Sequence, residues 1–390
     1  MRILLLTHSL NPRGGVVHVL ELGAALMQRG HAVTVLAPAE PGQRLFRATP
    51  CRVEYALVAA AQTTLAATVR ARIDAMRAHL LRLLASESFD VFHAHDGIGA
   101  NALADLRAAG RIPGYARTVH HVDRYGDDEV QAWEERAIRC ASQVLCVSAT
   151  WRARLQAEWG VRAEQVANGV DLQRFRPAAT DAETHADRQI VAPLGVGGGG
   201  RTVVLSVGGI EARKNTRRLL AAFTQLRRQL PQAQLVIAGG ASLLDHSAEA
   251  QGFRSDAAAS GLRIGPSLDV VVTGPLPDQA LPALYRTANV VAMPSLLEGF
   301  GLAALEGLAC GTPAVVSRIA PFTEHFAQGD VDWSDPLDPQ AIAAALSRAI
   351  RRPRSRRVPP VCRRFSWAAS AERHEQLYSA AALEQPACLP

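Results

Sequence analysis

Lysine is nearly missing from this chain. All of its 42 basic residues are arginine except Lys214. Where arginine is used almost everywhere, a lone lysine suggests a position that a planar guanidinium does not fit. A compact ammonium on a flexible stem is wanted there, for instance as a point charge against a phosphate. Long apolar runs are also missing: no stretch approaches the roughly 18 uninterrupted apolar residues of a membrane span. The six cysteines (Cys51, Cys140, Cys146, Cys310, Cys362 and Cys388) show no CxxC pairing. That argues against structural zinc or a redox pair and for reduced, cytosolic thiols. No GxGxxG spacing follows the first strand, which counts against a dinucleotide site. The opening "MRILLLTHSL" runs into "NPRGGVVHV" without a small-residue cleavage site, so it reads as a first β-strand and not a signal peptide. A cytoplasmic protein is expected.

The formal net charge of +6 is local. Residues 351–364, "RRPRSRRVPPVCRR", are arginine-rich and hold no acid, which leaves the remainder nearly neutral. A nucleic-acid binder spreads positive charge over a domain face, so no nucleic-acid partner is expected. The run reads as a solvated basic linker or as a peripheral contact with an anionic membrane surface.

What is present is the material of a soluble globular protein: 390 residues, 48% hydrophobic and 20% charged. That length exceeds what one core organises, and two domains are expected. The first half alternates strands and helices. Arg2–His8 is a strand, "VVHVLELGAALMQRG" a helix closed by Gly30, and "HAVTVLAP" a second strand. Further strands are expected at Asp90–His95, Ala116–His121 and Gln143–Ser148, with a helix over Asp128–Cys140. After "VANGVDLQRFRP" comes a polar, then Gly-rich segment, and the pattern restarts with "TVVLSVGGI", "QLVIAGG", "LDVVVTG", "ANVVAMPS" and "PAVVS". The fold class is α/β, with two doubly wound parallel-sheet domains in tandem. The expected divisions are 1–176, 177–360 and a C-terminal helix within 361–390 that returns to the first domain. The final "EQPACLP" reads as loose.

Ligands of open parallel sheets bind beyond the carboxyl ends of the strands, and three loops there carry chemistry. In "PRGGVVHV", Gly14 and Gly15 separate a strand from a helix start, where backbone N–H groups and the helix dipole favour an anion. In "SVGGIEARKNTRR", Arg213 and Lys214 sit before a helix whose dipole they oppose, so they need a reason to be there; a bound diphosphate supplies one. In "PSLLEGFGLAALEGLACGTP", Glu298 lies in a loop and Glu306 about one turn into the next helix. Helix-dipole complementation accounts for one of these acids but poorly for two. Backbone N–H groups around Gly301 and Leu302 suit a phosphate or a sugar hydroxyl, and carboxylates accept hydrogen bonds from hydroxyls.

Together these residues resemble the retaining, GT-B-fold glycosyltransferases of family 4, whose E-x7-E motif is similar to "EGFGLAALE". "GGVVHVLELGAALMQRGHAVTV" is like the family's opening, "NGVDLQRF" its domain exit and "FSW" its closing helix, so the similarity covers most of the chain. The resemblance implies two Rossmann-like domains facing across a cleft, with the acceptor on the first and a nucleotide-diphosphate sugar, the donor, on the second. Glu298 would hold donor-sugar hydroxyls, with Gly299, Phe300 and Gly301 beside it, and Glu306 the ribose. Arg213 and Lys214 would neutralise the leaving diphosphate in place of a metal, and Gly14 and Gly15 would reach it from the first domain. His120 matches the family's active-site histidine, though His121 adjoins it and Asp123 could orient either. The acceptor, small or lipid-linked, is not named.

One departure stands out: Gly209 falls where the family commonly carries an arginine in V-G-R. No cofactor and no metal are expected. Asp330-Val331-Asp332 resembles a variable turn of the family, "GDDE" at 126–129 a helix start, and His93 and His95 share a strand face without a third ligand at workable spacing. A nucleotide-sugar epimerase, a phosphorylase and a non-catalytic sugar-nucleotide binder remain as other readings of the same fold. An NAD-dependent dehydrogenase is the outside class.

Overall fold

The computed structural model describes residues 1–59, 63–240 and 243–381. The loose end expected after residue 381, Cys388 included, lies outside the described residues. Two compact units are formed, one by 1–169 with 367–390 and the other by 170–366. Val170 N–H donates to Phe365 O at 3.2 Å, and the ring of Phe175 packs edge-on against Tyr285. Residues from Val170 therefore belong to the second unit, a few residues earlier than the expected division at 176/177. The helix Trp367–Ala381 packs on the helix Gly14–Gln28 within the first unit.

The first unit is built on β1 (Arg2–Leu6), β2 (Ala32–Ala39), β3 (Arg52–Leu57), β4 (Val91–Ala94), β5 (Ala116–Val119), β6 (Gln143–Cys146) and β7 (Glu164–Gln165). These strands pair in parallel in the order β3-β2-β1-β4-β5-β6-β7. The second unit holds β8 (Val203–Val207), β9 (Gln234–Ala238), β10 (Val270–Gly274), β11 (Val290–Met293), β12 (Ala314–Ser317) and β13 (Asp332–Ser334). Their order is β10-β9-β8-β11-β12-β13, again parallel. The class is α/β, with two Rossmann-like parallel-sheet domains.

The central strands are nearly continuous apolar runs because helices cover both faces of a parallel sheet. Ile3 to Leu6 on β1 and Val203 to Leu205 on β8 are fully buried. In the second unit Leu219, Phe223 and Leu226 of the helix Thr216–Gln229 close over Val204, Leu235 and Ile237. Strand order reverses between β1 and β4 in one sheet and between β8 and β11 in the other. The crevices expected to take ligands are therefore at the carboxyl ends of those two pairs.

Four strands end one or two residues before the sequence reading has them. The residues past the ends of β4 and β6 are recruited to start helices. Asp96 Oδ1 accepts from Gly99 N–H at 2.7 Å, and Ser148 Oγ from Trp151 N–H at 3.4 Å, satisfying donors that a helix start leaves open. Strand β3 and the helix Leu65–Leu83 fall in a stretch where no element is expected. The polar segment after residue 177 contains the helix Asp181–Val191, capped by Thr180. Its Asp187 is buried and bidentate to Arg286, both contacts at 2.6 Å.

The turn expected at 330–332 ends at Asp330, and β13 begins at Asp332, whose carboxylate is taken by Arg348 and Arg352. Nor is the basic run a plain solvated linker. Arg354 donates to the carbonyls of Ala288 and Tyr285 and to Thr312 Oγ1, and Arg364 to His325 O. No helix among the described residues is long and apolar enough to cross a membrane.

Asp187→Ala removes the carboxylate that pairs with Arg286 on the helix Ala280–Thr287. Breaking a buried pair on one side costs about 3 kcal/mol, so denaturant unfolding of the variant is expected to show that loss. A change below about 0.5 kcal/mol, the level of a surface substitution, would show the pair to be ornamental to stability.

Candidate active site

In the second unit the site grows from the loops that leave β8 and β11. After Val207 the chain passes Gly208 and Gly209 and enters a 3₁₀ turn, Ala212–Lys214, which Asn215 (φ 60°) joins to the helix Thr216–Gln229. Asn215 is buried and its side-chain amide donates to Pro294 O at 2.8 Å and Pro336 O at 2.6 Å. Leu296 N–H donates to Arg213 O at 2.8 Å. The two switch-point loops are thus tied together through their backbones, which fixes the roots of Arg213, Lys214 and Glu298.

Lys214 and Glu298 meet there. The Lys214 ammonium donates to Glu298 Oε1 at 2.5 Å, and Ser295 Oγ donates to the same oxygen at 2.9 Å. Arg213 Nη1 lies 4.0 Å from Glu298 Oε2. Burial pushes the Glu298 carboxyl up, but the Lys214 and Arg213 charges and the hydrogen bonds from Lys214 and Ser295 outweigh it and hold it below its ordinary value. Burial draws the Lys214 ammonium down, against the pull of Glu298. The sequence reading gave these residues separate parts of a ligand; the structure makes them partners. The stem of Lys214 runs over Gly208, where an added Cβ would lie 2.7 Å from Lys214 Cε. The lone lysine occupies a slot between glycine backbone and a carboxylate.

Glu306, in the helix Leu302–Ala309, is buried and accepts from Tyr285 Oη at 2.7 Å. Gly301 precedes that helix at φ 97°, and a Cβ there would meet the Phe322 ring at 2.5 Å. The ring of Phe300 is buried against those of His325 and Phe365, which leaves only its backbone for the expected role beside Glu298. Its carbonyl accepts from His325 Nδ1–H at 2.9 Å, which anchors the Gly299–Leu302 segment. Tyr285, Ser295, Glu211, Asn215 and His325 were not found from the sequence. Glu211 and Asn215 flank the turn Ala212–Lys214, Ser295 stands three residues before Glu298, and Tyr285 and His325 come from separate helices; their contacts with the site form only on folding.

In the first unit Gly14 and Gly15 open the helix Gly14–Gln28, among the N–H groups that have no intrahelical acceptor. A Cβ on Gly15 would lie 3.4 Å from the His120 ring, so these two expected residues are neighbours. His121 pairs instead with Asp123, at 3.2 Å, which separates the two histidines: Asp123 orients His121, and His120 turns inward. His120 stands against His18, with ring centroids 4.8 Å apart, and His95, 5.8 Å. His93 and His374 continue the cluster. His18 Nδ1–H donates to Asn168 Oδ1 at 2.9 Å, and His93 is held by Tyr378 Oη and Thr118 Oγ1. Burial first, then neighbouring positive charge, lowers His18, His93, His95 and His120 well below the ordinary imidazole value, and burial alone brings His374 down to about 4. All five are neutral at pH 7. Among the described residues no group of three or more His, Cys, Asp or Glu side chains is arranged to hold a metal ion.

Two parallel-sheet Rossmann-like domains in one chain, each with its charged or glycine-bearing loops at the switch point of its sheet, have the architecture of the GT-B fold. Residues 12–174 match the family described as glycosyltransferase family 4, and residues 197–360 the one described as glycosyl transferases group 1. The chain belongs to this family, and it is a glycosyltransferase. It is 29% identical over 315 residues to a D-inositol 3-phosphate glycosyltransferase of Corynebacterium efficiens, covering 75% of this chain and 72% of that one. It is also 29% identical, over 90% of both chains, to a GDP-mannose-dependent alpha-(1-6)-phosphatidylinositol monomannoside mannosyltransferase of Mycolicibacterium smegmatis. In fold it is similar to a sucrose-phosphate synthase of Thermosynechococcus elongatus, with a TM-score of 0.76 at 23% identity over 97% and 98% of the two chains.

Gly209 has a structural reason. Its φ is 82°, and an added Cβ would lie 2.4 Å from Gly240 Cα, so backbone meets backbone where a side chain would begin. Gly209→Arg, which restores the family's usual residue, is expected to lower the melting temperature. A variant as stable as the parent would show that the loop adapts.

The histidine cluster sets a pH dependence. Unfolded imidazoles take up protons near pH 6.5, whereas the buried ones resist, so the unfolded chain binds more protons as pH falls. The stability present above pH 6.5 is lost as pH drops toward about 4, the value at His374. Urea unfolding of the first unit's transition at pH 7.5 and 5.0, a window in which ordinary carboxylates stay ionised, is expected to give a lower midpoint at pH 5.0. Equal midpoints would mean the imidazoles are solvated.

Proposed function

We propose that the chain transfers a hexose, with retention of anomeric configuration, from a nucleotide-diphosphate sugar to a hydroxyl of a polyol phosphate or lipid-linked acceptor. The observation that carries this reading is the Lys214–Glu298 pair with Arg213 beside it, where strand order reverses in the second sheet. A carboxylate and two cations on tied loops offer complementary partners to the two halves of such a donor, hydroxyls for the acid and diphosphate for the cations. Glu306, steadied by Tyr285, suits the ribose. The relatives named above, one acting on D-inositol 3-phosphate and one using GDP-mannose, support the donor and acceptor classes.

In the proposed reaction the bond between the anomeric carbon and the diphosphate oxygen breaks, and its electron pair leaves with the diphosphate. Lys214 and Arg213 stabilise the charge that develops there, the kind of preorganised electrostatic contribution that dominates many enzymes. These two fixed cations supply what a divalent ion would, so metal-independent transfer is part of the proposal. The acceptor oxygen joins the same face of the sugar, and its proton passes to the departing phosphate oxygen. Neutral His120 offers an unpartnered Nε2 as an acceptor for a hydroxyl of donor or acceptor. As part of the same proposal, the arginine run at 351–364 is a peripheral anchor on anionic lipid, with Arg356, Arg357 and Arg363 exposed.

The test is a thermal-shift panel of UDP, GDP, ADP and their sugar conjugates in EDTA, on wild type and Lys214→Ala, followed by turnover with inositol phosphate and phosphatidylinositol acceptors. One nucleotide is expected to raise the melting temperature by mass action, with a smaller rise in the variant. Nucleoside diphosphate should be released only when acceptor is present, and the product should keep the donor's anomeric configuration. Release without acceptor would favour an epimerase or hydrolase reading, inverted product would overturn retention, and loss of the shift in EDTA would overturn metal independence.

A further inference from the structure

The second unit holds a buried acid that the proposed reaction does not use. Glu211 is 3% exposed and lies in the loop after β8, two residues before Arg213. Its Oε2 is 3.0 Å from Arg213 Nη2, and its Oε1 is 3.8 Å from His246 Nε2. Its carbonyl also accepts from Lys214 N–H at 3.0 Å, closing the 3₁₀ turn. A carboxylate is costly to bury unless it is paired, so its place in this loop calls for a use.

The backbone of the turn is held by bonds that do not involve the Glu211 carboxylate. Arg213 O is held by Leu296 N–H, and Asn215 is clamped to the carbonyls of Pro294 and Pro336. What the backbone does not fix is the Arg213 side chain, whose several rotors swing a charge over a wide arc. Lys214 needs no such help, because its stem rests on Gly208 and its head on Glu298. The position that could carry a second cation from the start of the loop, residue 209, has no room for a side chain against Gly240. Arg213 is therefore the second cation available on this turn, and Glu298 alone, 4.0 Å away, holds it only loosely.

We propose that Glu211 is a positioning residue, which fixes the Arg213 guanidinium beside Lys214 so that both cations face one diphosphate. This rests on the donor reading above. Glu211 touches no ligand; it acts through Arg213, forming with Glu298 a pair of carboxylates on either side of the guanidinium. Such an arrangement lets the chain do without a cation at residue 209.

A double-mutant cycle tests it: Glu211→Gln, Arg213→Gln and the double variant, with affinities of UDP, GDP, ADP and the matching monophosphates measured by calorimetry. For the diphosphate that binds wild type, Glu211→Gln is expected to raise the dissociation constant about tenfold, within the range of coupled neighbours. Its effect on the monophosphate should be smaller, and it should vanish when residue 213 is already Gln. An undiminished effect in the Arg213→Gln background, or equal loss for mono- and diphosphate, would overturn the proposal by showing a general structural role. Should Glu211→Gln not fold, Glu211→Asp, which keeps the charge and shortens its reach, takes its place in the cycle with the same outcomes. A wild type that binds none of the three diphosphates overturns the donor reading itself, and this proposal with it.

Discussion

The ion pair between Lys214 and Glu298 is the constraint on which the second unit's chemistry depends. Both side chains are largely buried, and neither is stable there alone. Each comes from a different side of the switch point, so the pair forms only if β8 and β11 are neighbours and their loops are held in register. The Asn215 amide and the Leu296–Arg213 backbone bond supply that register. The apolar strands, the helix that buries Leu219 and Phe223, and the glycines at 208 and 301 together place two opposite charges at 2.5 Å. Paired in this way, the two buried charges compensate each other. On the proposed donor reading, a diphosphate that shares the ammonium would loosen its hold on Glu298 Oε1 and favour a hydroxyl there, so the two halves of one ligand would each favour the binding of the other.

The first unit uses different physics at its own switch point. Its functional candidate, His120, sits among imidazoles kept neutral by burial, and its helix start offers N–H groups instead of charged side chains. The same enclosure that removes charge from His120 leaves its Nε2 without a partner. An unpaired buried acceptor costs free energy unless something satisfies it. The helix Trp367–Ala381 contributes His374 and Tyr378 to this cluster, both against His93, so it helps to keep the imidazole of a residue far earlier in the chain neutral.

Much of the architecture was legible in the sequence because the signals are local. Fully apolar strands followed by helical spacing identify a parallel α/β fold, and the lone Lys214 and Glu298 fall on the two loops that leave β8 and β11 at the point where strand order reverses. The segment 177–201 misled because polar composition says nothing about a helix that buries one face: Asp187 reads as solvent-facing until Arg286, 99 residues away, is placed against it. The strand ends misled because Asp96 and Ser148 serve the following helices. Phe300 was legible as a neighbour of the site but not as a core residue, since its contacts with His325 and Phe365 join three separate segments. Partnership between Lys214 and Glu298 was illegible for the same reason. Side chains 84 positions apart become a pair only through sheet topology.

Gly209 shows how a departure from a family pattern can be read physically. Read alone, a glycine in place of an arginine suggests a weakened anion site. In the structure it is a consequence of packing: the Gly208–Gly209 and Gly239–Gly240 turns approach so closely that any Cβ at 209 collides with backbone, and positive φ at all four glycines is what makes that approach possible. The charge budget of the loop must then be met further along, on a turn whose two cations both oppose the dipole of the helix they precede. Opposing a dipole is tolerated when nearby acids compensate, and Glu211 and Glu298 do so here from opposite sides of Arg213. The close packing of four glycines and the clustering of charge on residues 211–214 are thus two parts of one arrangement, in which backbone contact has displaced a side chain and the lost charge is carried four residues later.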